Sequence, residues 1–246
     1  MSTTPAAQHC RSRIVFLLHG LGAHPIVMVP LQLFLHQNGF PRALPIKYNV
    51  NTNDINTSVA SASAAMLGAL KARTPQEACN TWDVFAVGHS WGGLVCNRLH
   101  MFGWTIQGAV YVASPLHGAR ILSSISFFLP QVLHDMLARP AYTPLQVKER
   151  EKEPPHPYRT ISCGYAKTSF DGAVFRDEAM LHPKFHTHLD WEDHSLILAK
   201  PRMWRVVAAQ LIQMQRHKQV SFALQVMFSP ILRSSKKGKS DVVCSM

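Results

Sequence analysis

One serine lies between glycines in the stretch GHSWGG, residues 88–93. Ser90 can act as a nucleophile only if a base takes its proton and hydrogen-bond donors receive the developing oxyanion. The pentapeptide G-x-S-x-G follows the apolar run WDVFAV and precedes apolar residues at helical spacing, which predicts a strand, a tight turn and a helix. The N–H of Trp91 would then face the oxyanion at the amino end of that helix. The alternative is an ordinary turn with a solvated serine.

A second glycine-containing stretch, HGLG, occupies residues 19–22 after an apolar run. Its glycines would let the backbone approach a substrate oxygen, and the N–H of Leu21 is the predicted second oxyanion donor. His19 and Gly20 are predicted to contact the substrate. The alternative is a turn that only ends a strand. The two stretches together favour a nucleophilic role for Ser90.

Six short apolar runs must position these residues. They are apolar at successive positions, which is typical of strands buried on both faces of a parallel sheet. Helical patterns separate them, so the chain is predicted to have an α/β fold with right-handed crossovers. The carboxyl ends of the strands, where such sheets gather their chemistry, would carry HGLG, GHSWGG and ASPLHGA. The runs lie at residues 13–20, 44–49, 82–90, 106–114, 158–164 and 185–191.

In this order HGLG, GHSWGG and SPLHG resemble the α/β-hydrolase superfamily, and within it the lipase-like serine esterases. The resemblance spans residues 13–215. It implies an α/β-hydrolase fold with a mostly parallel central sheet of about six strands, helices on both faces and a cap insertion. It also implies that nucleophile, acid and histidine follow one another along the chain. The acid should follow a late strand, and the histidine should precede the last helix.

The resemblance also assigns the acid. D-G-x-V, beginning at Asp171, is similar to the acid loop of the lipases, so Asp171 would orient the catalytic histidine. Asp-Gly is also a strong turn signal in any protein. Asp177 and Glu178 remain alternatives if the loop is longer. Asp83 is a weaker candidate because it precedes its strand and would lie at the opposite edge of the sheet.

The histidine is assigned in the same way, because D-H-S-L resembles the family's histidine loop and makes His194 the base. Nearby histidines raise a zinc alternative, but no cysteine or H-E-x-x-H spacing supports it. No metal or cofactor is therefore predicted. The family's usual Pro-His-x-Gly turn is replaced here by PLHG, so His117 is given no catalytic role. The nearby histidines are His182, His186 and His188.

The stretch 120–157 breaks the alternation and is too long for an ordinary connection, so it is predicted to form a cap over the site. Phe127, Phe128 and Leu129 are placed on its site-facing side, where they would favour apolar acyl chains. Such an apolar run also suits simple core packing. The predicted organisation is a flexible N terminus (1–12), a hydrolase domain (13–218), and an apolar segment with a basic C-terminal tail (219–246).

Composition narrows the class of protein. With 246 residues, 47% of them hydrophobic, the chain can bury the core of one large domain. The N terminus has no apolar signal-like segment and no run is long enough to span a membrane, so a cytoplasmic location is predicted. Five cysteines at irregular spacings form neither a disulfide framework nor a metal motif. The formal net charge is +11, but apart from RSSKKGK at residues 233–239 the Lys and Arg residues are scattered and no nucleic-acid motif accompanies them, so no nucleic-acid partner is predicted.

The C-terminal segment suggests a second kind of contact. The apolar stretch 220–232 is too short to cross a bilayer, and the basic run RSSKKGK follows it. This combination is compatible with peripheral attachment to an anionic membrane. The alternative is an extra helix packed on the domain, followed by a solvated tail, because Pro230 and a weak amphipathic pattern give a poor interfacial helix.

The sequence therefore predicts a serine hydrolase that cleaves a small-molecule or lipid carboxylic ester. His194 would take the Ser90 proton, Leu21 and Trp91 would hold the oxyanion, and water would hydrolyse the acyl-enzyme. A thioesterase or amidase with the same triad is an alternative, because one scaffold hosts many chemistries. A second alternative is a non-catalytic hydrolase-fold module that binds a lipid or a protein.

Overall fold

The computed structural model describes residues 12–51, 54–73, 82–118, 154–165, 170–171, 173–217 and 220. In this part of the chain six strands form one sheet in the order β2-β1-β3-β4-β5-β6, and every neighbouring pair is parallel. The predicted α/β fold and its six-stranded parallel sheet are confirmed. The strands are β1 (Ser12–Leu18), β2 (Ala43–Ile46), β3 (Trp82–His89), β4 (Ile106–Val112), β5 (Tyr158–Gly164) and β6 (His186–Asp190).

Helices cover both faces of the sheet. Apolar side chains of α2 and α3 pack on one face, and those of α1 and α5 pack on the other. Short 3-10 helices lie at Pro25–Met28, Leu99–Phe102, Pro183–Phe185 and Leu196–Ala199. The α-helices are α1 (Val29–Gln37), α2 (Ile55–Arg73), α3 (Trp91–Arg98), α4 (Arg176–Ala179) and α5 (residues 201–217).

Strand β1 shows why the apolar runs are continuous. Phe16 and Leu18 point to the face covered by α2 and α3, whereas Val15 and Leu17 point to the face covered by α1 and α5. All four side chains are fully buried. Since successive side chains of a strand alternate between faces, a strand with helices on both sides needs apolar residues at every position.

Several predicted segments lie outside the described residues. They include the predicted cap up to residue 153, with Phe127, Phe128 and Leu129, the first eleven residues, and the tail beyond residue 220. The last residues of the predicted cap, 154–157, lead into β5, and the Pro157 carbonyl accepts a hydrogen bond from the Ala109 amide of β4 (2.9 Å). None of the helices in the described part of the chain combines the length and apolar character needed to cross a membrane.

Candidate active site

Three predicted site residues meet at the carboxyl edge of the sheet. Ser90 Oγ lies 3.0 Å from His194 Nε2, and His194 Nδ1 lies 2.8 Å from Asp171 Oδ2. Ser90 follows β3, Asp171 follows β5 and His194 follows β6. The structure thus joins a hydroxyl, an imidazole and a carboxylate in one hydrogen-bonded chain, although the hydroxyl and the imidazole are 104 residues apart in sequence.

Ser90 sits on a strained turn between β3 and α3. Its φ of 53° and ψ of −121° lie outside the ordinary regions for a residue with a side chain, which costs on the order of 1–3 kcal/mol. The turn is held by hydrogen bonds from the Ser90 amide to the Val112 carbonyl (2.9 Å) and from the Gly93 amide to the Ser90 carbonyl (3.0 Å). Such outliers cluster at functional sites, where the surroundings enforce them.

Two glycines allow this turn to exist. A Cβ on Gly88 would collide with the backbone of Gly92, and a Cβ on Gly92 would collide with the carbonyl oxygen of Leu18 in β1. The backbone segments therefore approach more closely than any side chain permits. This is the physical reason for the glycines on either side of Ser90.

Asp171 is buried, with 1% of its surface exposed, and its carboxylate is fully hydrogen-bonded. Oδ1 accepts the amides of Ala173 (2.9 Å) and Val174 (2.7 Å). Oδ2 accepts from the His194 imidazole and from the Cys163 thiol (3.3 Å). A buried carboxylate needs such partners because it has lost its water.

These contacts keep Asp171 charged. Burial alone would raise the pKa of its carboxyl group. The hydrogen bond and attraction from His194, together with the two backbone amides, outweigh burial and hold the pKa of Asp171 below its ordinary value. An ionised Oδ2 accepts a hydrogen bond from the N–H at His194 Nδ1, which leaves the Nε2 lone pair facing Ser90.

The other acids considered from the sequence lie elsewhere. Glu178, in α4, accepts the Phe175 amide with its carboxylate (2.8 Å). Asp177 precedes it in the same short helix. Asp83 is the second residue of β3 and therefore stands at the amino edge of the sheet. Of these carboxylates, Asp171 is the one that the structure pairs with the imidazole of His194.

The HGLG stretch lies directly against the Ser90 turn, because a Cβ built on Gly20 would stand 3.0 Å from Ser90 Cβ. His19 is buried and stacks on Tyr48, with ring centroids 4.6 Å apart. The Tyr48 hydroxyl donates to the His19 carbonyl (2.6 Å) and so ties the loop to the residues that follow β2. The oxyanion role of Leu21, and the substrate contacts of His19 and Gly20, stay predictions.

The other oxyanion candidate, Trp91, begins α3 and is buried. Its indole N–H donates to the Ser58 hydroxyl of α2 at 3.4 Å, and its side chain packs in the apolar cluster that includes α2. The residue follows Ser90 at the amino end of a helix, where partial positive charge accumulates. Its role as an oxyanion donor also stays a prediction.

The four other histidines considered from the sequence contact neighbouring protein groups. His117 Nε2 lies 3.0 Å from the Met180 carbonyl, and His182 accepts the Lys184 amide (3.1 Å). His186 and His188 both contact the Ser162 hydroxyl, at 2.9 and 2.6 Å. Within the described residues, no group of three or more His, Cys, Asp or Glu side chains is arranged to hold a metal ion.

Two contacts of the site were missed by sequence reasoning. The Cys163 thiol donates to Asp171, and His89 Nε2 lies 2.8 Å from the His194 carbonyl. Both residues stand at the carboxyl ends of strands, Cys163 in β5, which precedes Asp171, and His89 in β3, which precedes Ser90. That position was the available signal, since residues at this edge of a parallel sheet face the site.

Buried neutral histidines should make the fold sensitive to acid. Burial is the main cause that lowers the pKa of His89 to about 3 and the pKa values of His156 and His186 to about 4. As the pH is lowered, these histidines would become protonated near pH 6.5 in the unfolded chain, but only at a lower pH in the folded protein. The free energy of unfolding should therefore fall as the pH drops from about 6.5 to about 4, by up to about 1.4 kcal/mol per pH unit for each histidine.

Urea unfolding measured at steps between pH 7.5 and pH 4.5 checks this expectation. The His156→Gln variant serves as the comparison, because it removes one of the three protons and should flatten the pH dependence. An unfolding free energy that stays constant over this range would contradict the assignment of neutral histidines.

The parallel sheet with helices on both faces, the sharp turn at Ser90 and the contacts that join Ser90, His194 and Asp171 are typical of an α/β-hydrolase fold of the lipase-like type. Solved structures of other proteins share this fold. The chain is similar to an esterase from Pyrococcus furiosus, with 17% identity over 82% of this chain and 83% of that one, at a TM-score of 0.58. It is also similar to the mature form of a Bacillus licheniformis lipase, with 18% identity over 82% and 92% of the two chains, at a TM-score of 0.56.

A third likeness is to a phospholipase from Legionella pneumophila, with 13% identity and a TM-score of 0.50. It covers 69% of this chain but 44% of the phospholipase, so the chain spans less than half the length of that protein. No protein-family model and no curated protein sequence match the chain. At these identities the likenesses establish the fold, and the predicted resemblance to α/β-hydrolases is confirmed at that level.

Proposed function

We propose that the protein is a serine hydrolase that cleaves carboxylic esters through an acyl-enzyme on Ser90. The observation that carries the proposal is the chain of contacts from Ser90 Oγ to His194 Nε2 (3.0 Å) and from His194 Nδ1 to the buried Asp171 carboxylate (2.8 Å). This is the geometry expected of a nucleophile, its general base and the group that orients the base.

In the first half of the reaction, His194 Nε2 takes the hydroxyl proton as Ser90 Oγ attacks the ester carbonyl. The carbonyl oxygen becomes an oxyanion, which the N–H groups of Leu21 and Trp91 would stabilise. Collapse of this intermediate breaks the bond to the alcohol, and His194 gives its proton to the leaving oxygen. The products are a free alcohol and an acyl group on Ser90.

In the second half, water takes the place of the alcohol. His194 accepts a proton from water as its oxygen attacks the acyl carbonyl, and the proton then returns to Ser90 Oγ when the acid leaves. Asp171 stays ionised throughout. Its charge stabilises the imidazolium that forms twice in each cycle, and its buried position strengthens that interaction.

The substrate class is proposed from the comparisons. The named esterase and lipase of the same fold support a small-molecule or lipid ester. Thioesters and amides remain the alternative substrates, since the same triad can cleave them. The apolar wall at Phe127, Phe128 and Leu129, peripheral membrane contact through the tail, and the cytoplasmic location remain proposals that rest on the sequence.

Labelling with a fluorophosphonate probe tests the proposal. The activated serine should lose its proton to His194 and displace fluoride from the phosphorus, so mass mapping should find the phosphonyl adduct on Ser90. The chain offers a matched control in Ser162, whose hydroxyl lies 2.6 Å from His188 Nδ1, while His188 Nε2 lies 3.4 Å from Asp190. Ser162 is buried within a strand and should stay unlabelled.

The outcomes separate the enzyme from a binding module. The hydrolase would be supported if the wild-type protein is labelled at Ser90, the Ser162→Ala variant is labelled as well, and the Ser90→Ala variant is not. An unlabelled wild-type protein with intact secondary structure would favour the non-catalytic module. Hydrolysis of matched ester, thioester and amide substrates with one common acyl group would then rank the three bond types.

A further inference from the structure

His89 lies immediately before Ser90, at the carboxyl end of β3, and 6% of its surface is exposed. Its Nε2 lies 2.8 Å from the carbonyl oxygen of His194, 105 residues further along the chain. A carbonyl oxygen can only accept, so Nε2 of His89 carries the proton and donates it. The two imidazole rings also contact each other, with centroids 5.1 Å apart.

The donor stays neutral under working conditions. Burial first, and the neighbouring His194 second, lower the pKa of His89 to about 3. With the proton on Nε2, the neutral ring has none on Nδ1, which is buried and lies 3.2 Å from the position that a Cβ on Gly20 would occupy. At neutral pH His89 is therefore a neutral donor that lies between the HGLG loop and the His194 loop.

The backbone of His194 is thus held on two sides. Its amide donates to the Asp171 carbonyl (2.9 Å), and its carbonyl accepts from His89. The first bond ties the base to the loop of the acid. The second bond ties the base to β3, because His89 is the last residue of that strand and Ser90 follows it directly.

The hydrogen bond from His89 to the His194 carbonyl affects the distance between the His194 imidazole and Ser90, on which catalysis depends. A displacement of about 1 Å between reacting groups can cost about 10²-fold in rate. The imidazole of His194 can rotate about its own side-chain bonds, so its distance from Ser90 depends on where the backbone of its loop is held. Asp171 fixes the direction of the ring, whereas His89 fixes the loop against the turn.

We propose that His89 is a positioning residue, which holds the backbone of His194 against the strand that presents Ser90. The inference rests on the proposed function, since it concerns the same base and nucleophile. His89→Leu removes the donor and keeps most of the volume. His89→Gln keeps an amide N–H at about the place of Nε2 and should restore the bond.

The measurement is kcat and KM for an activated ester, with active sites counted by fluorophosphonate titration. For His89→Leu we expect kcat per titrated site to fall by about 10- to 100-fold while KM changes little. His89→Gln should recover most of that loss. A merely structural role would reduce the number of active sites or the melting temperature, but not kcat per site.

His156→Leu is the matched control. His156 is also a buried neutral histidine, and its Nε2 lies 3.0 Å from the Tyr111 hydroxyl. This variant should lose stability and keep kcat per active site. The positioning role would be overturned if His89→Leu turned over at the wild-type rate per site, or if His89→Gln were as slow as His89→Leu.

A nitrogen NMR spectrum of the histidines tests the bond without reference to activity. His89 should remain the neutral tautomer protonated on Nε2 from pH 5 to pH 9, a window that lies above its pKa of about 3. A ring that titrates within this range, or that carries its proton on Nδ1, would overturn the inference even in an inactive protein. An inactive wild type with the expected spectrum would overturn the esterase proposal and leave the bond established.

Discussion

Ser90→Ala and His194→Ala are each expected to lower kcat for ester hydrolysis by about 10⁶-fold, and the double variant should lose little more. The reason is the single chain of contacts from Ser90 Oγ to His194 Nε2 and on to Asp171. Without the serine no acyl-enzyme can form, and without the imidazole the serine keeps its proton. The measurement is hydrolysis of a nitrophenyl ester by single and double variants, with circular dichroism to verify folding.

Ser162→Ala is the control for the loss of a buried serine that contacts an imidazole. It should keep the wild-type kcat, because Ser162 lies within β5 and not on the turn after β3. Strictly additive losses in the double variant would show that Ser90 and His194 do not act as a unit. Full activity in either single variant would rule out the proposed mechanism.

Asp171→Asn is expected to lower kcat by about 10⁴-fold while the fold stays intact. The side-chain oxygen of the asparagine can take the place of Oδ1 and still accept hydrogen bonds from the Ala173 and Val174 amides. Its amide nitrogen would then replace Oδ2 and face His194. That nitrogen donates to Nδ1 and forces the imidazole proton onto Nε2, which can then no longer accept from Ser90. The loss of negative charge also removes the stabilisation of the imidazolium.

A comparison of kcat between the Asp171→Asn and Asp177→Asn variants tests which of the two residues is the acid. Asp177 lies in α4 and should tolerate the change with nearly full activity. Full activity in Asp171→Asn combined with a large loss in Asp177→Asn would show that the acid was assigned to the wrong residue. Folding should be monitored by circular dichroism in both, because the Asp171 carboxylate also closes its own loop.

The fold was predictable because the sequence patterns that indicate its strands, turns and helices each lie within a short stretch of the chain. A strand covered by helices on both faces must be apolar at every position, and β1 shows this in five consecutive buried residues, Ile14 to Leu18. The turn at Ser90 was predictable for a similar reason, since Gly88 and Gly92 are required where two backbones touch. Helix α5 likewise follows from apolar residues at helical spacing, of which Val207, Leu211 and Met214 are buried.

The choice among the acids came from resemblance and not from the residues themselves. Asp171, Asp177 and Glu178 lie within eight residues of one another, and each is a carboxylate after β5. What separates them is the loop geometry, which turns Asp171 inward onto the amides of Ala173 and Val174. Sequence spacing carries no such directional information.

The sequence by itself therefore determined the order of strands and helices, the turn that carries the serine, and the residue types available at the carboxyl edge. The tertiary structure decided which of them meet. β6 stands three strands from β3, a separation of about 14 Å, so the loop that bears His194 must cross the sheet edge to reach Ser90. The contact of His89 with His194 arises from that crossing, whereas the contact of Cys163 with Asp171 forms between β5 and the loop that follows it. Local periodicity reports burial and strand direction, whereas contacts between distant loops depend on how the whole sheet and its connections pack.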